Sequence, residues 1–167
     1  MTRNLSIAMA LFVATASACA GVPSAAQIAH DIESKGARAT VASLNHDGQF
    51  DAVLAKIASG NATWVNLARP LSQGTDAGDS TGLTIALATA LPKHATAVLR
   101  ALGDGPVTNS TAVCGVPFIE PTTSEVKTYL ARAIPAVTRV AEPARLAQRA
   151  SCLASLQRVK EQSQQPR

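Results

Sequence analysis

The sequence predicts an all-α fold, built as short antiparallel helix pairs in a compact bundle, and three observations predict it. Apolar side chains recur at i, i+3, i+4 and i+7 in one segment after another, which is the spacing of a single helix face. Hydrophobic residues make up 47% of the chain but aromatics only 3%, so the core must be built from Ala, Leu, Val and Ile. Ala is the strongest helix former and lets helices approach closely. Finally, Gly36, Gly60, Gly74 and Gly103 stand where helix C-caps belong, since Gly tolerates the left-handed backbone just past a helix end.

The elements follow in order. Ile28, Ile32, Ala39, Ala42 and Leu44 mark a first helix that Gly36 divides. Phe50, Val53, Leu54 and Ile57 form a stripe ending at Gly60. Trp64, Leu67, Ala68 and Leu71 repeat the pattern up to Gly74, with Asn61 as N-cap. Leu83, Ala86, Leu87, Ala90 and Leu91 make the next stripe. Ala95, Val98, Leu99 and Leu102 then run to Gly103, with Pro92 suited to a first turn. Thr122-Thr123-Ser124-Glu125 reads as a capping box opening a helix striped by Val126, Tyr129, Leu130, Ala133, Ile134 and Val137, which Pro135 is expected to kink. Pro143 opens a last helix carrying Leu146, Ala150, Leu153 and Leu156. A polar tail frays from about residue 161.

Between Gly103 and Pro121 the glycines and prolines exclude continuous helix. Val113, Val116, Phe118 and Ile119 make this stretch an extended strap pressed onto the helices and held by Cys114. A faint internal repeat, Ala52-Val53-Leu54 through Gly60 and Ala97-Val98-Leu99 through Gly105, has a 45-residue offset. That period gives the bundle a HEAT-like character.

The first twenty residues set the expected compartment. Arg3, the apolar run Leu5 to Ala16, and small residues from Thr15 to Ala20 have the layout of a secretory signal. The apolar run is shorter than the roughly 20 residues of a membrane span. Residues 1–20 are thus expected to be removed, with cleavage before Cys19 or as late as Ala26, leaving 21–167 as one domain. Ala16-Ser17-Ala18-Cys19 partly fits a lipobox, which makes Cys19 a candidate for lipidation against ordinary cleavage. Export places the product in the periplasm, with extracellular or lipid-anchored locations as alternatives. Cys114 and Cys152 remain as a pair in an oxidising compartment, and a disulfide between them is the expectation.

Charge is unevenly distributed. Residues 21–125 carry six Lys/Arg against nine Asp/Glu, whereas 126–167 carry eight against two. The basic residues are spread at helical spacing without interleaved aromatics, so a solvated helix face is favoured over a nucleic-acid surface.

Motifs for chemistry are sparse. His30, His46 and His94 lack any HxxxH or HExxH spacing, so neither a metal nor a cofactor is expected. Ser110, Ser151 and Ser155 lack a G-x-S-x-G elbow, and Cys114 has a disulfide partner instead of a base. Asn109-Ser110-Thr111 is a glycosylation sequon. Gly74-Thr75-Asp76-Ala77-Gly78-Asp79-Ser80 is the most polar loop; its carboxylates read either as helix caps or as part of a surface.

The expected function is therefore a non-enzymatic module that binds another envelope protein or peptide. Asp76 and Asp79 of the turn, with Phe118, Ile119 and Glu120 of the strap, form the candidate interaction surface. An immunity- or inhibitor-type protein that blocks an envelope-acting toxin or hydrolase is the first alternative, and an unrecognised hydrolase the second. The Gly74-Thr75-Asp76-Ala77-Gly78 turn, the segment Cys114-Gly-Val-Pro117-Phe118-Ile119-Glu120-Pro121 and the later Cys152-Leu153 resemble small exported helical proteins of Gram-negative bacteria without an assigned activity. The resemblance implies an envelope location and a cysteine pair, and it transfers no catalytic residue.

Overall fold

Gly36 shows how local sequence sets this architecture. Its backbone stands at φ +84°, a conformation that suits Gly, and it separates α1 (Ala25–Lys35) from α2 (Ala37–His46). The break also rephases the helix. Ala39 and Ala42, expected in the core, are exposed, and Thr40 and Val41 are buried instead, while Leu44 is buried as expected. A 3.6-residue period cannot be carried across a residue that leaves the helix.

The computed structural model describes residues 21–164. The signal-like segment 1–20, with Cys19, and residues 165–167 lie outside the described residues. The described residues are 71% helical and contain no strand, which establishes the all-α class. The remaining elements are α3 (Phe50–Ala58), α4 (Ala62–Val65), α5 (Ala68–Leu71), α6 (Ala77–Ala90), α7 (Ala95–Ala101), α8 (Ser110–Cys114), α9 (Thr123–Thr138), a 3-10 turn at Pro143–Arg145, and α10 (Leu146–Gln164).

Helices pack in pairs. α1 lies on α2 and α9 on α10, while α3 covers α6 and α4 covers α7. The α3–α4 pair thus stacks on α6–α7 as neighbouring units of a helical array do. This stacking equates α3 with α6, whereas the 45-residue sequence offset equates α3 with α7. Gly60 does end a helical pair of turns at φ +83°; its counterpart Gly105 caps nothing, because α7 has already stopped at Ala101. The shared Ala-Val-Leu is a common helical tripeptide and not a structural repeat.

The core centres on α6, where Leu83, Ala86, Leu87, Ala88 and Ala90 are all buried. A helix apolar on every side belongs inside a structure. Gly82 lets α3 close onto it, since a Cβ there would lie 2.7 Å from Leu54 Cδ1. The stripe expected as one helix around Trp64 divides into α4 and α5, yet Asn61 caps it as expected by accepting from the Thr63 amide at 3.0 Å. Pro92 sits in the turn after α6, not in the first turn of α7.

Gly74 serves close approach instead of a left-handed cap. Its α-carbon faces the Ala37–Arg38 backbone, and an added Cβ would collide with the Ala37 carbonyl. The loop after α5 can therefore press onto the start of α2.

Two further expectations change at the C-terminal end. On α10 the buried face is Cys152, Ser155 and Leu156, whereas Leu146 is 46% exposed and Ala150 is exposed. Cys152 thus belongs to the buried stripe itself. The expected fray at 161 is not seen, because α10 continues to Gln164. The Thr122–Glu125 capping box is present, with the Thr122 amide donating to Glu125 Oε2 at 2.8 Å and the Glu125 amide to Thr122 Oγ1 at 3.2 Å.

Cys114 of α8 and Cys152 of α10 form the expected disulfide; their Cα atoms are 5.3 Å apart and both residues are fully buried. One mass measurement and two stability measurements follow. Native protein should have an intact mass lower by two hydrogens than the dithiol form, and denaturant unfolding with and without reductant should differ by about 4 kcal/mol. Gly74→Ala should cost about 1–3 kcal/mol in the same assay, the usual range for overpacking. An unchanged midpoint would mean that the two backbones have room to separate.

Candidate functional site

The strap begins as a tight set of turns. Gly103 N–H donates to Thr108 O at 3.0 Å, and buried Thr84 of α6 donates its hydroxyl to Val107 O at 3.0 Å. The strap then departs from full extension, because α8 forms within it. Asn109 nucleates that turn by accepting from the Ala112 amide at 2.8 Å, and its own amide group donates to Gly105 O at 3.1 Å and Pro106 O at 3.3 Å. The sequon asparagine is thus committed to backbone bonds on both ends of its side chain.

After the disulfide the chain takes an unusual path. Val116 has φ +58° and Glu120 has φ +46°. The left-handed region costs an L-residue roughly 1–2 kcal/mol, and a β-branched residue such as Val is a true outlier there. Both residues also precede a proline, which ordinarily pushes its predecessor to extended backbone. Such conformations persist only where the surroundings enforce them. Here the surroundings are visible. The segment is clamped at one end by the Cys114–Cys152 bond and the burial of Val116, and at the other by the Thr122–Glu125 capping box.

Between the two strained residues, Phe118 is half-buried and meets Tyr129 edge-to-face, with centroids 5.0 Å apart and an 84° interplanar angle. This geometry suits the aromatic quadrupoles. Ile119 is 77% exposed and Glu120 is exposed beside it. Phe118 is therefore an anchor and Ile119 is not. A cleft of about 410 Å³ adjoins the pair, walled by Pro92, Phe118, Tyr129 and Arg132. The sequence pattern places Tyr129 on the core stripe of α9 and Arg132 among the dispersed basic residues, without pairing them. The available signal was the i, i+3, i+4, i+7 set Glu125, Thr128, Tyr129 and Arg132, a polar stripe with one aromatic in it.

The Asp76/Asp79 turn engages different partners. Asp76 is the N-cap of α6 and accepts from the Asp79 amide at 3.0 Å. Asp79 accepts from Asn45 Nδ2 of α2 at 2.7 Å, and the Thr75 and Ser80 hydroxyls bond each other at 2.8 Å. Each acidic side chain thus has a structural partner, and neither touches the strap residues through a hydrogen bond. Removing the Asp76 cap costs about 1 kcal/mol by itself. A charge reversal at Asp76 therefore changes stability together with surface charge.

The other polar residues scatter. His94 Nδ1 lies 3.0 Å from Gly60 O, and among the described residues no histidine hydrogen-bonds to Asp76 or Asp79. Among the described residues no group of three or more His, Cys, Asp or Glu side chains is placed to hold a metal ion. Ser110 and Ser151 do share a polar cleft of about 610 Å³ with Asp104, but no imidazole lines it. None of the described helices is long and apolar enough to cross a membrane.

Comparison with protein-family models, with curated proteins and with solved structures finds no match to this chain. The likeness to small exported helical proteins therefore rests on its motifs alone.

Tyr129 is the chain's single tyrosine, which makes the site's packing directly measurable. Its hydroxyl donates to the buried Ala88 carbonyl at 3.0 Å, and burial pushes the phenol well above its ordinary value. Above about pH 10 the unfolded chain loses the tyrosine proton while the folded chain keeps it. The unfolded state then binds fewer protons, so stability falls as pH rises. Phenolate absorbance should therefore appear only together with alkaline unfolding. Tyr129→Phe should lose about 1 kcal/mol at neutral pH, and its deficit relative to wild type should shrink above about pH 10. Reversible phenolate formation near pH 10 in folded protein would show that the ring is not held in this way.

Proposed function

We propose that this protein is an exported, non-enzymatic interaction module that presents its strap, Val116–Glu120, to another envelope protein or peptide. One observation carries the reading: exposed Ile119 stands in a loop that two left-handed non-glycine residues bracket and two covalent or capped anchors clamp. A single exposed Ile is ordinary on a protein surface. An exposed Ile on backbone held in a costly conformation is less so, since stored strain concentrates at functional sites. A loop already fixed in one shape also loses little entropy on docking, and that raises affinity without added contacts. Export is supported by the signal-like first twenty residues and by the buried disulfide, a bond that persists in oxidising compartments.

The same rigidity favours an inhibitor-type variant of this function, in which the loop occupies the cleft of one dedicated enzyme. That case is distinguished by the partner. A module recovers a structural protein or peptide, and an inhibitor recovers an enzyme whose activity falls on binding.

Ile119→Asp changes a side chain that is 77% exposed, so its thermal midpoint should match wild type while crosslinking to the native envelope partner is lost. Glu120→Gly should raise stability by about 0.5 kcal/mol, because relief of the left-handed cost exceeds the added entropy of the unfolded chain. It should also weaken the partner several-fold by loosening the loop. If both variants recover the same partner as wild type with equal affinity, the strap is not the presenting element.

A further inference from the structure

A second surface lies between α9 and α10, away from the strap. Leu130, Ala131 and Ile134 of α9 line a groove of about 350 Å³, and Lys127 and Lys160 stand at it from the two different helices. Leu130 is buried and Ile134 half-buried, while both lysines are exposed. Neither ammonium group has a carboxylate or hydrogen-bond partner among the described residues. The wider field has the same sign. Residues 126–167 carry eight Lys/Arg and two Asp/Glu, and one of those two, Glu142, is already held by Arg100 at 2.7 Å.

We propose that this groove binds a single-chain anionic amphiphile, a free fatty acid, with the alkyl chain on the apolar floor and the carboxylate between Lys127 and Lys160. The volume lies at the small end of the roughly 300–1,000 Å³ typical of small-ligand clefts. Two unpaired cations beside an apolar floor complement a ligand with one anionic end and one apolar end. The shape selects a single chain over a membrane surface. A membrane-docking face presents protruding apolar side chains, yet the exposed large hydrophobics Val22, Ile119 and Leu146 all lie outside the groove. The recessed floor is reached by one chain lying along the helices.

The probe is dodecanoate below its micellar concentration, titrated calorimetrically into the folded protein. Shortening it to decanoate and then octanoate should weaken binding about tenfold at each step of two methylenes. Dodecyltrimethylammonium should bind at least tenfold more weakly at low salt, and Lys127→Glu/Lys160→Glu should remove that preference for the anion. Ala131→Trp fills the groove from an exposed position, so it should abolish dodecanoate binding with both lysines retained and the thermal midpoint unchanged. The proposal is overturned by affinity independent of chain length, by equal binding of the cationic amphiphile, or by retained binding in Ala131→Trp. It is likewise overturned if sedimentation shows a dimer that Ala131→Trp converts to monomer, since a second copy then covers the groove. Binding to anionic phospholipid vesicles without saturable binding of dodecanoate would also overturn it.

Discussion

Cys114 and Cys152 stand 38 positions apart, and the bond between them does more than close a loop. This chain has three Phe, one Trp and one Tyr, so large aromatic anchors are scarce. α8 is only five residues long, too short to hold its place by helix propensity. The disulfide ties it to the buried face of α10, and α10 in turn packs on α9. Three features follow from that tether. The rotation of α10 is set so that Cys152, Ser155 and Leu156 face inward. The strap leaves α8 from a fixed point, two residues before the left-handed backbone of Val116. The α9–α10 pair is held in the arrangement whose seam forms the lysine-lined groove.

Much of this was legible in the residues, and the exceptions have physical causes. Stripes read within one uninterrupted helix held well: Leu83, Leu87, Val98 and Leu99 are buried as their spacing predicts. Caps were also readable, because Asn61, Asp76 and Thr122 accept amide hydrogens over a few residues of local chain. Errors arose where phase depended on something distant. Ala39 and Ala42 moved out of the core because Gly36 reset the helix, and Leu146 moved out because the disulfide sets the rotation of α10. Gly74 shows a related limit. Sequence marks it as a helix end, but only the fold reveals that the backbone of α2 lies against it.

The candidate site was legible in part for the same reason. Phe118, Ile119 and Glu120 drew attention as apolar and acidic residues in a proline-bounded loop. Their separate roles depend on whether each side chain meets another element. Phe118 meets Tyr129 and Ile119 meets nothing comparable, a distinction made by tertiary contact across eleven positions of chain. Asp76 and Asp79 point the other way. Their spacing suited both a cap and a surface, and the hydrogen bonds that Asp76 accepts from the Asp79 amide and Asp79 accepts from Asn45 show the structural use.

α9 connects the two surfaces through its own periodicity. Glu125, Thr128, Tyr129 and Arg132 line the strap cleft, and Lys127, Leu130, Ala131 and Ile134 line the groove. Each set follows i, i+3, i+4, i+7, and the second is displaced from the first by two residues. Two residues of α-helix turn roughly 200°, so the sets occupy opposite sides of one rigid rod. Ala133 and Val137 bury the face between them against the core. The side of the helix that carries Ser124, Ala131 and Pro135 stays open to solvent. The capping box fixes its start, the edge-to-face contact of Tyr129 fixes one flank, and α10 fixes the other. These three contacts give α9 one fixed position, so the strap cleft and the groove are built on the same rigid element.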